Sequence, residues 1–279
     1  MISGPAFADL PLTVEDLIAS KGKSKLDLSA VYVNSDRQGL YTADPITVQT
    51  GASSFLTFPT LISENHGNTD LMIGTLGLRY GLTEKTEIFA RTSYLHSNSR
   101  NIDVSGKSSY SENRFVDHWA GINHQFKNDN DTPAVLGFAE IALHEIHKHS
   151  SSSFKSGLVG LITYKAIDPV ALSLITAYRF NQSRKDGTES YQPGNFLLLN
   201  PSIAFAANER VTLTTGIQWT NRQADRRTNQ AHDIRRTSSD LLLGVGYGVS
   251  NMSTLNLTFK ANVSGSNGAD LRFNWTHTF

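Results

Sequence analysis

The sequence contains no cysteine in 279 residues, which excludes a disulfide framework and every metal site built on thiolates. An excess of charge is also missing, because 25 Lys and Arg residues balance 25 Asp and Glu residues. A general nucleic-acid surface, and hence a nucleic-acid partner, is therefore not expected. No stretch approaches the run of about 18 apolar residues that a membrane-spanning helix needs. The mean hydropathy of -0.28 remains compatible with a transmembrane barrel, whose strands place only every second residue in lipid.

The last nine residues alternate large apolar side chains with polar ones and end on Phe279. In an extended chain, Leu271, Phe273, Trp275 and Phe279 share one face, and the polar residues share the other. A strand with two such faces separates two solvents. It resembles the recognition strand of bacterial outer-membrane β-barrels, so we predict that Phe273, Trp275 and Phe279 form the signal for the barrel-assembly machinery.

A regular rhythm of alternating segments extends over most of the chain. Very short connections, as at 83–85 and 168–169, alternate along the chain with longer polar connections, as at 100–113 and 224–236. This rhythm is typical of an up-and-down barrel with periplasmic turns and extracellular loops. We predict an all-β fold, a single 12-stranded antiparallel transmembrane β-barrel over residues 26–279, with strands at 26–33, 69–82, 86–99, 113–127, 134–148, 153–167, 170–183, 194–207, 210–223, 236–249, 253–264 and 269–279.

Three details of this barrel can be predicted further. Both termini should be periplasmic, which places the protein in the outer membrane of a Gram-negative bacterium, in contact with lipid and lipopolysaccharide. Residues 36–68 become the longest extracellular loop, and their apolar stretches 46–48 and 55–58 are expected to form an extra hairpin or to fold inward. A change of face near Ala139 predicts a β-bulge.

The N-terminal residues have a different pattern. Residues 1–9 are predicted to be a remnant of a signal peptide or an added segment, because Ala6-Phe7-Ala8 has the shape of a cleavage site. Residues 10–25 then form a short helix and tether, with a capping-box pattern at Thr13 and Asp16 and a stop at Gly22. The helix could lie in the periplasm, on the membrane or in the lumen. Twelve strands enclose more space than side chains readily fill, so we predict a lumen plug formed by Leu12, Val14, Glu15, Asp16, Leu17 and Ile18.

Charged residues at inward positions of the predicted strands should line the lumen. They either pair with Glu15 and Asp16 of the plug, as Arg272 is expected to do, or simply keep a water-filled interior solvated. These residues are Arg79, Glu87, Arg91, Glu140, Lys155, Lys165, Arg179, Arg222, Lys260 and Arg272.

The sequence gives little support for a metal site or for catalysis. Of His144, His147 and His149, only the last two share a strand face, and no carboxylate converges on them, so neither a metal nor any cofactor is predicted. No motif brings a serine, a base and an orienting group together, and His66 alone resembles a hydrolase remnant; the chain is not expected to be an enzyme. A loop with four arginines could bind lipopolysaccharide phosphates or simply be solvated: Arg226, Arg227, Arg235 and Arg236.

Three stretches together carry a resemblance: residues 12–18 before the first strand, residues 76–83 at a tight turn, and the closing strand. The combination resembles the FapF family of outer-membrane pores, which serve functional-amyloid secretion in pseudomonads, and more distantly the outer-membrane transporters for aromatic compounds. The resemblance implies a homotrimer that exports unfolded amyloid subunits for biofilm formation, gated by a plug at Leu12 to Ser20 on a flexible tether from Lys21 to Lys25. The family's coiled-coil region is missing, so the chain is expected to be a barrel fragment.

The alternative function is an outer-membrane uptake channel for small hydrophobic or aromatic compounds. The two functions predict different lumens. Export of a polar, unfolded chain needs a hydrated and lightly charged passage, whereas the uptake channel should have an apolar pocket of ligand size in the lumen. Without a nucleotide-binding motif, transport in either direction is expected to be diffusive.

Overall fold

The computed structural model describes residues 18–36, 39–43, 46–49, 55–58, 61–65, 68–103, 106–147, 150–186, 188–228, 230–231, 233–264 and 269–279. The predicted remnant at 1–9, most of the predicted plug (Leu12 to Leu17) and His66 lie outside these residues. Among the described residues, no helix is long and apolar enough to cross a membrane.

Twelve long antiparallel strands form the body of the molecule. They are β1 (Ser24–Asp36), β2 (Asn68–Thr83), β3 (Thr86–Asp103), β4 (Gly106–Lys127), β5 (Ala134–His147), β6 (Ser156–Ile167), β7 (Val170–Asn181), β8 (Phe196–Ala206), β9 (Val211–Arg222), β10 (Arg236–Ser250), β11 (Ser253–Asn262) and β12 (Ala269–Thr278). Each strand pairs with its neighbours in sequence, and β12 pairs with β1 from Lys25 opposite Thr278 to Asn34 opposite Ala269. The sheet is therefore a closed up-and-down barrel, and the predicted fold class and strand number are confirmed.

The termini of the barrel lie at the same end as the short turns. The Phe279 N–H donates to the Ser24 carbonyl at 2.8 Å, and the Thr278 N–H donates to the carbonyl of Met252, a residue of the last short turn, also at 2.8 Å. The long connections lie at the opposite end, as the alternating rhythm predicted. Which end faces the periplasm stays a prediction.

The structure corrects the sequence-based picture at two places. The expected long loop at 100–113 is mostly strand, because β3 and β4 stay paired up to Asp103 opposite Gly106. The predicted bulge in β5 lies at Leu143 rather than near Ala139, since His118 pairs with His144 whereas Trp119 pairs with Ala142.

Further β-structure extends from the long-connection end. Gly39–Ala43 pairs with Leu61–Asn65, and Ile46–Gln49 pairs with Phe55–Phe58, so the predicted extra hairpin in the 36–68 loop is present. A second small sheet joins the connection after β7 to the connection after β9, through Arg184–Asp186, Glu189–Gln192, Arg226–Arg227 and Gln230–Ala231. This second sheet is called the loop sheet below.

The two faces of the barrel wall have opposite character. Side chains on the outer face are largely apolar and exposed, as Leu78, Leu257 and Phe273 show. Side chains on the inner face are buried, and on many strands they are polar or charged. An apolar exterior around a polar interior is the reverse of a water-soluble protein and suits a wall that contacts lipid.

Candidate functional site: the inner wall of the barrel

The inner wall is apolar on one side, over strands β5 to β8. Twelve inward-facing residues of these strands, none more than 6% exposed, form a single buried hydrophobic cluster together with Ile18. The strand residues are Ala134, Leu136, Phe138, Leu158, Ile162, Tyr164, Ala171, Ile175, Ala177, Phe196, Leu198 and Ala204. We call this surface the apolar wall.

The rest of the inner wall, from β9 through β12 and on to β4, is predominantly polar and is held by ion pairs. Arg79 donates from Nε and Nη2 to the two carboxylate oxygens of Asp27, at 2.6 and 2.9 Å. Arg272 makes the same two-pronged contact with Asp270, at 2.8 and 3.0 Å, and Lys260 adds its ammonium to Asp270 at 3.0 Å. We call this surface the polar wall. Each of these positive charges lies beside a negative charge of the same wall.

Eight of the ten charged residues predicted to line the lumen are buried on the inner face of the barrel. The two lysines differ. Lys165 alternates with the buried Tyr164, so its backbone position belongs to the outer face, and its ammonium pairs with Asp129 at 3.1 Å beside a short turn. Lys155 precedes the first residue of β6 and is half-buried. Arg272 pairs with Asp270 at 2.8 Å. Glu15 and Asp16, its expected partners, lie outside the described residues.

The residues that precede β1 contact the inner wall, with Ile18 2% exposed and Ala19 fully buried. The Ala19 N–H donates to Glu87 Oε2 at 2.6 Å. Residues 18–21 are not helical, so the predicted helix does not extend to residue 21. Of the six residues predicted individually to form the plug, Ile18 alone is described by the structure, and of the longer plug implied by the resemblance, residues 18–20 are described.

The predicted flexible tether is bound to the wall rather than loose. The Gly22 N–H donates to the Gly81 carbonyl at 2.8 Å, and the Gly81 N–H donates to the Lys23 carbonyl at 3.0 Å. Gly22 has a φ of 77°, which a residue with a side chain adopts less readily. A Cβ at Gly81 would lie 2.1 Å from the Ser20 carbonyl oxygen, so this close approach requires glycine.

An arginine–tryptophan cluster lies at the border between the two walls. Trp119 is fully buried, and the guanidinium carbons of Arg91 and Arg179 lie 5.1 and 4.9 Å from its ring centroid. Arg91 pairs with Glu140 at 3.3 Å, and Arg179 pairs with Glu145 at 2.6 Å. Cation–π contacts of this kind gain strength where water is excluded. Sequence analysis placed Arg91, Glu140 and Arg179 in the lumen but missed Trp119 and Glu145.

A polar network fixes the loop sheet to the rim of the barrel. Arg184 of the loop sheet donates to Glu145 Oε2 at 3.2 Å and to Ser156 Oγ at 2.8 Å. The Tyr191 hydroxyl donates to Asp225 at 2.6 Å, and Asp225 also pairs with Arg222. Burial, followed by the contacts with Asp225, raises the pKa of Tyr191, so its hydroxyl keeps its proton and continues to donate. The loop sheet is thus tied to the inner wall.

The remaining predictions concern the four loop arginines and a metal site. Arg227 pairs with Glu189 at 3.0 Å and Arg236 with Asp233 at 2.7 Å, so two of the four loop arginines already have acidic partners. Among the described residues, no group of three or more His, Asp or Glu side chains is arranged to hold a metal ion.

The residues of the predicted assembly signal lie on the outer face of β12 and at its end. Phe273 is 45% exposed and Phe279 is 59% exposed. The rings of Trp275 and His277 stack, and the ring of His277 meets that of Phe279 edge-on. Their role in assembly stays a prediction.

Comparison with known proteins gives relatives in fold but not in sequence. No protein-family model matches the chain, and no curated protein matches it either. Among solved structures, an outer-membrane channel from Pseudomonas putida F1 is similar with a TM-score of 0.64 and 12% identity over 100% of both chains. The translocator domain of the autotransporter NalP from Neisseria meningitidis has a TM-score of 0.55 and 11% identity, over 95% of this chain and 92% of NalP. The NanC porin has a TM-score of 0.54 and 8% identity, over 90% of this chain and 98% of the porin. Together with the inside-out wall, these likenesses establish the fold of a Gram-negative outer-membrane β-barrel.

Proposed function

We propose that the barrel is an outer-membrane channel through which small hydrophobic or aromatic compounds diffuse. The apolar wall is the observation that carries this proposal. Twelve buried apolar side chains on one side of the lumen do not stabilise a polar solute in a hydrated pore. A hydrophobic solute, in contrast, is stabilised by each apolar surface that it contacts.

The likeness to a protein described as an outer-membrane channel from Pseudomonas putida F1 supports a passive passage. The same fold also carries the translocator domain of an autotransporter, so the fold alone does not choose between the two functions. The choice in favour of small hydrophobic compounds rests on the chemistry of the inner wall.

Export of unfolded amyloid subunits is the second candidate, and the polar wall is the observation that favours it. Asn, Thr and Gln side chains alternate with opposed charges from β9 to β4, and such a surface suits a polar chain that must stay hydrated. None of the three structures named above is described as a pore for amyloid secretion, so this function, with its biofilm role and its trimer, is kept as the alternative.

The lumen is also proposed to be gated by the residues before β1. Ile18 belongs to the apolar wall cluster and Ala19 is hydrogen-bonded to Glu87. A solute that follows the apolar wall must therefore displace Ile18. This supports the idea that residues 12–20 occupy the lumen at rest.

Uptake of 1-N-phenylnaphthylamine by intact Gram-negative cells tests the proposed function, because an intact outer membrane excludes this fluorescent aromatic probe. We expect faster uptake in cells that produce the barrel. Ile175→Asn, at a fully buried position of the apolar wall, should slow uptake several-fold. Thr212→Asn, at a fully buried position of the polar wall, is the matched control and should leave uptake unchanged.

The same cells decide between the two functions. A Gly/Ser/Asn-rich unfolded peptide sent to the periplasm should stay there if the barrel serves small compounds. Its appearance outside, with unchanged uptake of the aromatic probe, would contradict the proposal and favour export. Heat-modifiable gel mobility verifies that each variant has formed its barrel.

A further inference from the structure

We propose that lipid A, the phosphorylated lipid anchor of lipopolysaccharide, binds the outer surface of the barrel at Arg235. This residue lies at the long-connection end, in the loop whose four arginines could either bind lipopolysaccharide phosphates or simply be solvated. The surface is on the outside of the wall, so the proposal does not depend on what passes through the lumen.

Arg235 is held on the outer side of the rim, where the chain enters β10. Its Nε–H donates to Asn221 Oδ1 at 2.9 Å. Asn221 stands between the buried Thr220 and Arg222, so the alternation of the strand places its side chain on the outer face. Asn221 Nδ2 in turn donates to Thr237 Oγ1 at 2.8 Å. The guanidinium of Arg235 is therefore anchored against the outer face of β9 and β10.

The anchored guanidinium lies where the outer face changes from apolar to polar. Ile217 and Leu241 pair in register on this face, and both are exposed. Trp219 follows, and beyond it Asn221 pairs with Thr237. Tryptophan is typical of the interface between the hydrocarbon of a membrane and its head groups. A lipid phosphate lies just outside the hydrocarbon, which is the height of the guanidinium.

The positive charge of Arg235 is not balanced by a nearby acid. The acidic side chains that the structure describes in the connections after β7 and β9 pair with other arginines. These pairs are Glu189 with Arg227, Asp225 with Arg222 and Asp233 with Arg236. Among the described residues, no acidic side chain pairs with Arg235. Its Nη1 and Nη2 groups are the donors that a phosphate accepts in a two-pronged contact.

An exposed aliphatic side chain adjoins the cation. Ile234 is 72% exposed, and its N–H donates to Asp233 Oδ1 at 2.7 Å, which fixes the backbone at this point. Contact with an acyl chain removes such a side chain from water. The long-connection end is predicted to face the cell exterior, where the outer leaflet consists mainly of lipopolysaccharide. Lipid A supplies both the phosphate for Arg235 and the acyl chains for the apolar face beside it.

Native mass spectrometry of the detergent-solubilised barrel, titrated with bisphosphorylated lipid A, tests this proposal. The matched ligand is lipid A from which both phosphates have been removed. We expect one lipid A molecule to be retained on each barrel at low ligand concentration. The dephosphorylated ligand should bind at least about tenfold more weakly, because it lacks the charge-assisted contact with the guanidinium.

Three variants locate the contact. Arg235→Gln should weaken binding of bisphosphorylated lipid A by about tenfold and leave binding of the dephosphorylated ligand unchanged. Ile234→Ser should weaken binding of both ligands to the same extent, because it removes an apolar contact only. Arg210→Gln is the matched control. Arg210 is an exposed arginine next to β9 at the short-turn end, and its loss should leave both affinities unchanged.

Each contrary outcome has a distinct meaning. Lipid A binding by Arg235→Gln that equals that of the wild type would overturn the site. Equal losses in Arg235→Gln and Arg210→Gln would also overturn it, because a general attraction of the anionic lipid to positive charge would then explain the binding. Phosphatidylglycerol that binds as tightly as lipid A, with the same dependence on Arg235, would overturn the choice of lipid A. Heat-modifiable gel mobility verifies that each variant has formed its barrel, and none of these results bears on passage through the lumen.

Discussion

Glu87 is predicted to hold the residues before β1 against the inner wall, and the substitution Glu87→Gln tests this. Glu87 is fully buried, its Oε2 accepts the Ala19 N–H at 2.6 Å, and its Oε1 accepts an N–H of Asn123 at 2.6 Å. Glutamine keeps the shape of the side chain and removes its charge. The main contact of Arg79 is with Asp27, so the variant does not strand that guanidinium.

The magnitude follows from the bonds that change. A hydrogen bond to a charged group is worth about 1.5–3 kcal/mol and one between neutral groups about 0.5–1.5 kcal/mol. The substitution therefore costs the docked segment about 1–1.5 kcal/mol, which is roughly a tenfold change in the ratio of docked to released states. The buried Ile18 side chain contributes about 2 kcal/mol more, and this part is untouched by the substitution.

Single-channel recording in planar bilayers measures the effect. We expect the open probability of Glu87→Gln to rise about tenfold over the wild-type barrel, with the same conductance in the open state. Asp240→Asn is the matched control, because Asp240 is a buried acid of the polar wall that contacts Lys260 and Asn262. An open probability in Glu87→Gln equal to that of the wild type and of this control would refute the gating role of the segment.

Three further predictions follow from other contacts. Gly81→Ala should also raise the open probability, because the added Cβ would lie 2.1 Å from the Ser20 carbonyl oxygen. An unchanged open probability would show that residues 20–23 do not hold the segment in place. Tyr191→Phe removes the hydroxyl that donates to Asp225 at 2.6 Å, which we expect to weaken the attachment of the loop sheet by about 1 kcal/mol and to speed limited proteolysis within 223–235, with no change of cleavage as the contrary result. Deletion of Phe279 should lower the amount of heat-modifiable barrel in the outer membrane, whereas refolding in detergent in vitro should proceed as before. Normal assembly in cells would show that Phe279 is not part of the assembly signal.

The strands could be predicted because a barrel wall imposes a local rule. Each strand has lipid on one side and the lumen on the other, so apolar and polar residues alternate with a period of two. The pattern of β11, in which Leu255 and Leu257 alternate with Asn256 and Thr258, shows this rule clearly. The strand number and the inward position of residues such as Arg272 follow from it.

The alternation of apolar and polar residues does not predict the structure where a strand does not lie between lipid on one side and a polar lumen on the other. At the long-connection end of the barrel, β3 and β4 continue as a paired ribbon of polar residues, whereas the polarity of 100–113 by itself predicts a loop. Where the lumen is itself apolar, as at Leu158 and Ile162 of β6, alternation fades. A run of apolar residues on both faces of a strand is the sequence signal of the apolar wall.

The sequence by itself therefore determined the closed twelve-stranded barrel, its alternating short and long connections and most of its inward-facing charges, because these depend on neighbours along one strand. The tertiary structure alone decided which inward-facing residues meet. Arg91, Trp119 and Arg179 stand on three different strands, and the bulge at Leu143 shifts the face that brings Glu145 to Arg179. Such contacts depend on register and closure of the whole sheet, where a shift of one residue turns every side chain to the opposite face.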